Sequence, residues 1–172
     1  MLYGDQSDVG LYPPVGPQWG PRGEQHRIRT HGRNEKVHLF GALDAHSGQL
    51  HAGFWSRKNS AAFVDFLREL LAAIPKRPIH LILDNYGVHK SRLTRKFLAG
   101  EGRRITVHFL PTYSPWLNPI ERTWRVIKSK AATNAWRDHI DQLTDDYRAT
   151  LTQLDTNILQ PSVRFLQDQG TT

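Results

Sequence analysis

The chain has 172 residues, a net charge of +7 and a pI near 10.0. That length is enough for one domain with a sizeable core, and the basic balance favours an anionic partner, nucleic acid first. The absence of cysteine excludes disulfides and thiolate zinc sites. No apolar run reaches membrane-spanning length or forms a signal-peptide core, so the sequence predicts a cytoplasmic protein with no membrane partner.

In chain order, Met1-Leu-Tyr-Gly-Asp5 reads as the end of a strand, with Asp8 beyond it in the loop-like Ser7-Asp8-Val9-Gly10. Residues 11–23 are rich in Pro and Gly and predict a long connection. Arg27, Arg29, His31 and Arg33 then interleave with Ile28 and Thr30, as an edge strand or a basic arm would. Residues 36–44 and 49–55 flank Ala45-His46-Ser47-Gly48 as a hairpin, and Asp44 serves its turn. Asn59 or Ser60 caps a helix in which Phe63, Phe66, Leu67, Leu70, Leu71 and Ile74 recur at helical spacing, stopped by Pro75 and Pro78.

Leu81, Ile82 and Leu83 form a short apolar run that suits a strand buried on both faces. Asp84-Asn85-Tyr86-Gly87 breaks it as a turn, which puts Asp84 at the carboxyl end of a buried strand, where open α/β sheets place their ligands. Residues 91–99 predict a helix with Leu93 and Phe97 inward and Arg92, Arg95 and Lys96 outward. Ile105-Thr-Val-His-Phe-Leu110 is a further strand, ended by Pro111. Asn118-Pro119-Ile120-Glu121 reads as a helix start, with Asn at the N-cap and Pro at N1. Ile120, Trp124 and Ile127 share one face of that helix, and Glu121, Arg125 and Lys128 share the neighbouring one. Taken alone, Asn-x-x-Glu fits a capping box and Asp84 fits a turn former. A last helix starts near Asp138, with Ile140, Leu143, Tyr147, Leu151 and Leu154 on one face. Pro161 interrupts the remainder. The nine histidines show no ligand spacing that points to a metal.

The stretch from Leu81 to Trp124 decides between these readings. A hydrophobic strand ends in Asp84-Asn85, His89 follows, and then comes Leu110-Pro111-x-Tyr113-Ser114-Pro115-x-Leu117-Asn118-Pro119-Ile120-Glu121 with Trp124. This pattern resembles the DDE transposases, in the bacterial insertion-sequence branch related to mariner elements. The resemblance runs to about Lys130. It implies a ribonuclease H-like fold: a mixed five-stranded sheet with helices on both faces, over a domain at 1–155 with a C-terminal extension at 156–172.

The resemblance also implies roles. Asp5, Asp84 and Glu121 would be catalytic residues and ligands of Mg²⁺ or Mn²⁺, two ions in all, with Asp5 preferred to Asp8. The usual neighbour of the first Asp is acidic, whereas here it is Gln6, which should point to the other strand face. Asn85, His89 and Asn118 would support the site, and Lys90, Arg122, Arg125 and Lys128 would contact DNA. Trp116 and Trp124 could stack on bases, although Trp124 sits on the apolar face and fits the core.

The implied activity is DNA cleavage at transposon ends followed by 3′-OH transfer to target DNA, in a nucleoid-associated bacterial protein, with room for a homodimer. Transposases of this type carry helix-turn-helix modules ahead of the catalytic domain. The chain leaves no room for them, so a split reading frame, a decayed copy or a fragment is expected, and an upstream helix-turn-helix chain is a candidate partner. The other readings are another ribonuclease H-like nuclease, or a DNA-binding remnant without turnover.

Overall fold

A computed structural model describes residues 1–154 except 18, 25, 26, 29–31, 33, 113 and 135. Five strands and four α-helices follow one another along it. They are β1 (Leu2–Gly10), β2 (Lys36–Asp44), β3 (Leu50–Trp55), α1 (Ser60–Ala73), β4 (Ile79–Leu83), α2 (Arg92–Ala99), β5 (Ile105–Phe109), α3 (Ile120–Ala131) and α4 (Ile140–Gln153). Short 3₁₀ turns at Gly87–Lys90 and Pro115–Leu117 lead into α2 and α3.

The strands form one sheet in the order β3-β2-β1-β4-β5. β1, β2 and β3 pair antiparallel, and β4 and β5 run parallel to β1. Strand alternation sends side chains to two faces, and each face has its own core. On one, Leu2, Phe40, Ala42, Leu81 and Leu83 pack against Phe63, Phe66, Leu67 and Leu70 of α1 and Phe97 of α2. On the other, Val9, Leu39 and Leu43 pack against Ile120, Trp124 and Ile127 of α3 and Leu143 and Tyr147 of α4. This is the expected ribonuclease H-like architecture, a mixed five-stranded sheet with helices on both faces.

Several local expectations change. Asp8 is not in a loop: β1 runs on to Gly10 because its partner β2 is nine residues long and pairs all the way, Asp8 opposite His38. Leu93 is 46% exposed, because Thr94 takes the inward position and donates its hydroxyl to Val88 O at 2.8 Å. Asn118 is not the N-cap of α3. The cap is Pro119, no side chain caps the helix, and the capping box does not form. Asn118 is instead drawn across to β1, where its Nδ2 donates to Gly4 O at 3.2 Å. Arg29, His31 and Arg33 lie outside the described residues, as does the expected domain boundary at 155. Arg27 and Ile28 are in no strand. Asn59 caps α1 by accepting from Ala62 N, and Asp44 Oδ1 accepts from His46 N at 2.8 Å in the hairpin turn.

α3 docks through a missing side chain. Trp124 is 3% exposed and lies over Gly41, where an added Cβ would sit 2.5 Å from Trp124 Cη2. An indole ring cannot yield that distance without shifting the helix. Gly41→Ala should therefore lower stability by about 1–3 kcal/mol, read as an earlier urea midpoint with unchanged m-value.

Candidate active-site cleft

Asp5 and Asp84 are set by strand register. β1 pairs with β4 as Leu2↔Leu81 and Tyr3↔Ile82. Continuing by two residues puts Asp5 opposite Asp84, both on the face that α3 covers. Glu121 sits in the first turn of α3 above them. The segment between β5 and α3 closes the far wall. The resulting cleft, about 330 Å³, is lined by Asp5, Asp84 and Glu121 together with Asn85, Tyr86, Asn118 and, from the proline-rich turn, Leu110, Pro111, Thr112, Ser114 and Pro115. The turn that carried the family resemblance is thus a structural wall of the site.

The three carboxylates are held differently. Asp5 is 9% exposed. Its Oδ2 accepts from Trp124 Nε1 at 3.0 Å. Burial, followed by the charge of Glu121, pushes its pKa up to about 7, with Asp84 adding a smaller push in the same direction; hydrogen bonds from the Gln6 backbone and Trp124 only partly offset this. Asp84 lies just past the strand with its side chain 48% exposed. Its Oδ1 accepts from His89 Nδ1 at 2.9 Å and from Tyr86 N at 3.1 Å. The His89 hydrogen bond, helped by Tyr86 N and by the charges of His89 and Lys58, holds Asp84 below the usual carboxylate range despite partial burial. Glu121 makes no capping bond, so its carboxylate is free to face the cleft.

The expected supporting residues come together here. Asn85 Nδ2 donates to Leu110 O at 2.6 Å, tying the Asp84 loop to the end of β5, and Asn85 Oδ1 accepts from Lys90 Nζ. Lys90 Nζ also lies 4.6 Å from the centroid of the Phe109 ring. Asn118 is 5% exposed and its Oδ1 is buried without a hydrogen-bond partner. Of the expected DNA contacts, Arg122, Arg125 and Lys90 are exposed and Lys128 is partly so; none of the four is in a salt bridge among the described residues.

Sequence reasoning missed three things. Trp124, placed in the core as expected, is also the donor to Asp5. Gly41 is opposite Asp5 in β2 and makes room for that indole. Lys58 bonds Asp8 at 3.3 Å, lies 5.4 Å from the Tyr86 ring centroid and adds its charge beside Asp84. The glycine in a strand otherwise dense in apolar residues was a readable hint of close approach; Lys58 left no local signal.

The donor set fits a hard divalent cation: all oxygen, with a protonation-prone Asp5 that a nearby positive charge would keep ionised. No three His, Cys, Asp or Glu side chains among the described residues are gathered tightly enough to hold one ion as they stand. The carboxylates share a cleft rather than a closed cage.

Residues 1–144 match the family model described as DDE superfamily endonuclease. An insertion element IS630 uncharacterized 39 kDa protein of Shigella sonnei is 38% identical over 135 residues, covering 78% of this chain and 39% of that protein. Among solved structures, the Mos1 mariner paired-end complex with Mn superposes with a TM-score of 0.74 at 18% identity, covering 98% of this chain and 52% of that one. The corresponding complex with Mg gives a TM-score of 0.72 at 19% identity, with 97% and 52% covered. The chain thus spans less than half of the curated relative and about half of the Mos1 chains. It belongs to the DDE superfamily of endonucleases.

Proposed function

We propose that this chain is the catalytic domain of a transposase, cutting DNA at transposon ends and joining the freed 3′-OH to target DNA with the help of two Mg²⁺ or Mn²⁺ ions. The observation that carries this reading is the placement of Asp5, Asp84 and Glu121 on the walls of one cleft, close enough that the charges of the other two raise the pKa of Asp5. The Mos1 complexes with Mn and Mg support the choice of cation, and oxygen-only ligation agrees with it.

Asp5, Asp84 and Glu121 would hold the ions. The bound ions would activate the attacking oxygen and stabilise the leaving one. The chain's own residues do the rest. Trp124 N–H fixes the Asp5 carboxylate, His89 and Tyr86 N–H fix that of Asp84, and the rigid α3 presents Glu121. No covalent enzyme intermediate is required: water attacks first, the new 3′-OH second. Arg122, Arg125, Lys128 and Lys90 would grip phosphates around the cleft, with a homodimer and an upstream helix-turn-helix chain as further partners in recognising transposon ends.

A second reading, a DNA-binding remnant without turnover, is favoured by one observation: among the described residues the acidic and histidine side chains form no closed ligand set as they stand. Nicking of supercoiled plasmid with and without Mg²⁺ separates the two. The catalytic reading expects cation-dependent nicking that Asp84→Asn lowers by about 100-fold or more. Nicking that Asp84→Asn leaves unchanged defeats the metal assignment, and binding without nicking in the wild type supports the remnant.

Glu121→Gln should abolish turnover with a stability change within about 0.5 kcal/mol, because no cap is lost; thermal melts beside the nicking assay check it. A loss of stability without loss of turnover would make Glu121 structural.

Asp5 also predicts a pH dependence. Its folded pKa is about 7, well above the ordinary 3.8. Between these values the folded state holds a proton that the unfolded chain has released, so without cations stability falls as pH rises from about 4 to 7. The fall should be on the order of 3 kcal/mol, absent in Asp5→Asn and offset by Mg²⁺ or Mn²⁺ above pH 7. Melting temperatures at pH 5 and pH 8, with and without the ion, measure it.

Replacing Arg125 and Lys128 with alanine should reduce the slope of log K against log salt for DNA binding by about 1 per cation removed. Filter-binding or anisotropy titrations over a salt series read that slope.

A further inference from the structure

His89 joins β1, which carries Asp5, to the turn after β4, which carries Asp84. It is 2% exposed, although it sits in a surface turn after Asp84. Nδ1 lies 2.9 Å from Asp84 Oδ1 and 3.2 Å from Asp84 O. Both are acceptors only, so the proton is on Nδ1 and is shared between them. On the other side of the ring, Nε2 lies 3.1 Å from Gln6 Oε1. Gln6 follows Asp5 in β1, and alternation turns it to the opposite face, toward α1. The ring itself is clamped, with its centroid 4.6 Å from that of Phe63 and edge-on to Tyr86 at 6.1 Å. A hydrogen-bonded chain therefore runs from the neighbour of Asp5 through a buried imidazole to the Asp84 carboxylate.

The bland account of a buried histidine is a satisfied core residue. It explains the Phe63 contact and the bond to Asp84 O, which closes the turn. It does not explain the bond to a half-exposed carboxylate oxygen that water could satisfy. That bond removes a rotamer from Asp84, which stands one residue past β4, beyond its last ladder pair. Gln6 suits the far nitrogen because its amide offers a donor or an acceptor according to which way it faces, and which way it faces is set by the hydrogen-bond network rather than seen directly. An aliphatic residue there would leave Nε2 buried and unpaired.

We propose that His89 and Gln6 are positioning residues that orient Asp84 toward the divalent cation and fix its separation from Asp5. This rests on the metal-site reading above. Outer partners of this kind commonly change metal affinity by about 10–100-fold when removed.

The test is Mn²⁺ binding, by titration calorimetry or electron paramagnetic resonance, in wild type, His89→Phe, His89→Asn, Gln6→Leu and the Gln6→Leu/His89→Phe double variant, each checked for folding by circular dichroism. His89→Phe keeps the ring volume and loses both bonds; Mn²⁺ affinity should fall by about tenfold or more. His89→Asn places an amide N–H near the position of Nδ1 and should recover most of it, which a purely structural role would not predict. Gln6→Leu should weaken binding less than His89→Phe, and the double variant should be no weaker than His89→Phe alone, because the two act through one chain. A folded His89→Phe that binds Mn²⁺ within twofold of wild type overturns the proposal while leaving the metal site intact. If His89→Phe does not fold, Gln6→Leu decides: unchanged Mn²⁺ affinity overturns the chain, weakened affinity at unchanged melting temperature supports it. Wild type that binds no Mn²⁺ at all brings down the metal-site reading and this proposal together, a result distinct from the others.

Discussion

A carboxylate buried among other carboxylates is the constraint on which this cleft depends. Asp5 lies in the middle strand of the sheet, is almost closed off from water, and faces Glu121 and Asp84. Burial and like charge both oppose its ionisation. One side-chain donor, Trp124 Nε1, and the Gln6 backbone are its recorded hydrogen-bond partners. A purely structural site would not keep such a group where an apolar residue packs as well. The arrangement stores an unfavourable potential that a divalent cation would relieve, and Gly41 leaves room for the indole whose N–H reaches Asp5.

The other two carboxylates need different supports because they stand on different kinds of element. Glu121 is carried by a helix whose apolar face is locked into the second core by Ile120, Trp124 and Ile127, so its backbone is rigid and its side chain is unencumbered. Asp84 stands one residue past a strand. It is held by the local turn, by His89, and at one remove by Asn85, which bonds Leu110 O across to the end of β5. The loop is therefore pinned to three elements at once, β1 through Gln6, α1 through Phe63 and β5 through Leu110.

What was legible in the sequence follows the range of the interaction that determines it. Strand alternation, helix periodicity and turn chemistry are local, and they placed the start of β1, β2 through β5, the inward faces of α1 and α3, and Asp84 at a strand end, while the second half of β1 is set by its pairing with β2. The long proline-rich match was specific enough to mark Glu121. The failures are of two kinds. Asn118 satisfied the local rule for an N-cap, but its amide is captured by Gly4 O from 114 positions away, and a tertiary bond outranked the local one. Leu93 obeyed the apolar pattern but lost the inward place to Thr94, whose hydroxyl closes the turn with Val88 O. The Trp124–Asp5 bond, the Lys58–Asp8 pair and the Gln6–His89 bridge join residues 119, 50 and 83 positions apart, and no spacing rule reaches that far.

The distribution of charge adds an order of events to the proposed chemistry. Much of the acidity outside the cleft is spent in pairs: Asp8 with Lys58 and His38, Asp65 and Glu101 with Arg68, Asp145 with Arg148, Asp146 with Arg137. Cations on the outer sides of α2 and α3, Arg92, Arg95 and Lys96 on one and Arg122 and Arg125 on the other, keep no such partner among the described residues. The exposed cations of α3 thus stand on the helix that brings Glu121 to a cleft lined by three carboxylates. A phosphodiester drawn in by those side chains would meet repulsion at the carboxylates unless divalent cations had already neutralised them. On the proposed reading, the ions bind first or arrive with the DNA, and a cleft without them holds the backbone at its rim rather than at its floor. The same sheet and helices would then both attract the substrate and, through the state of Asp5, decide whether it can approach.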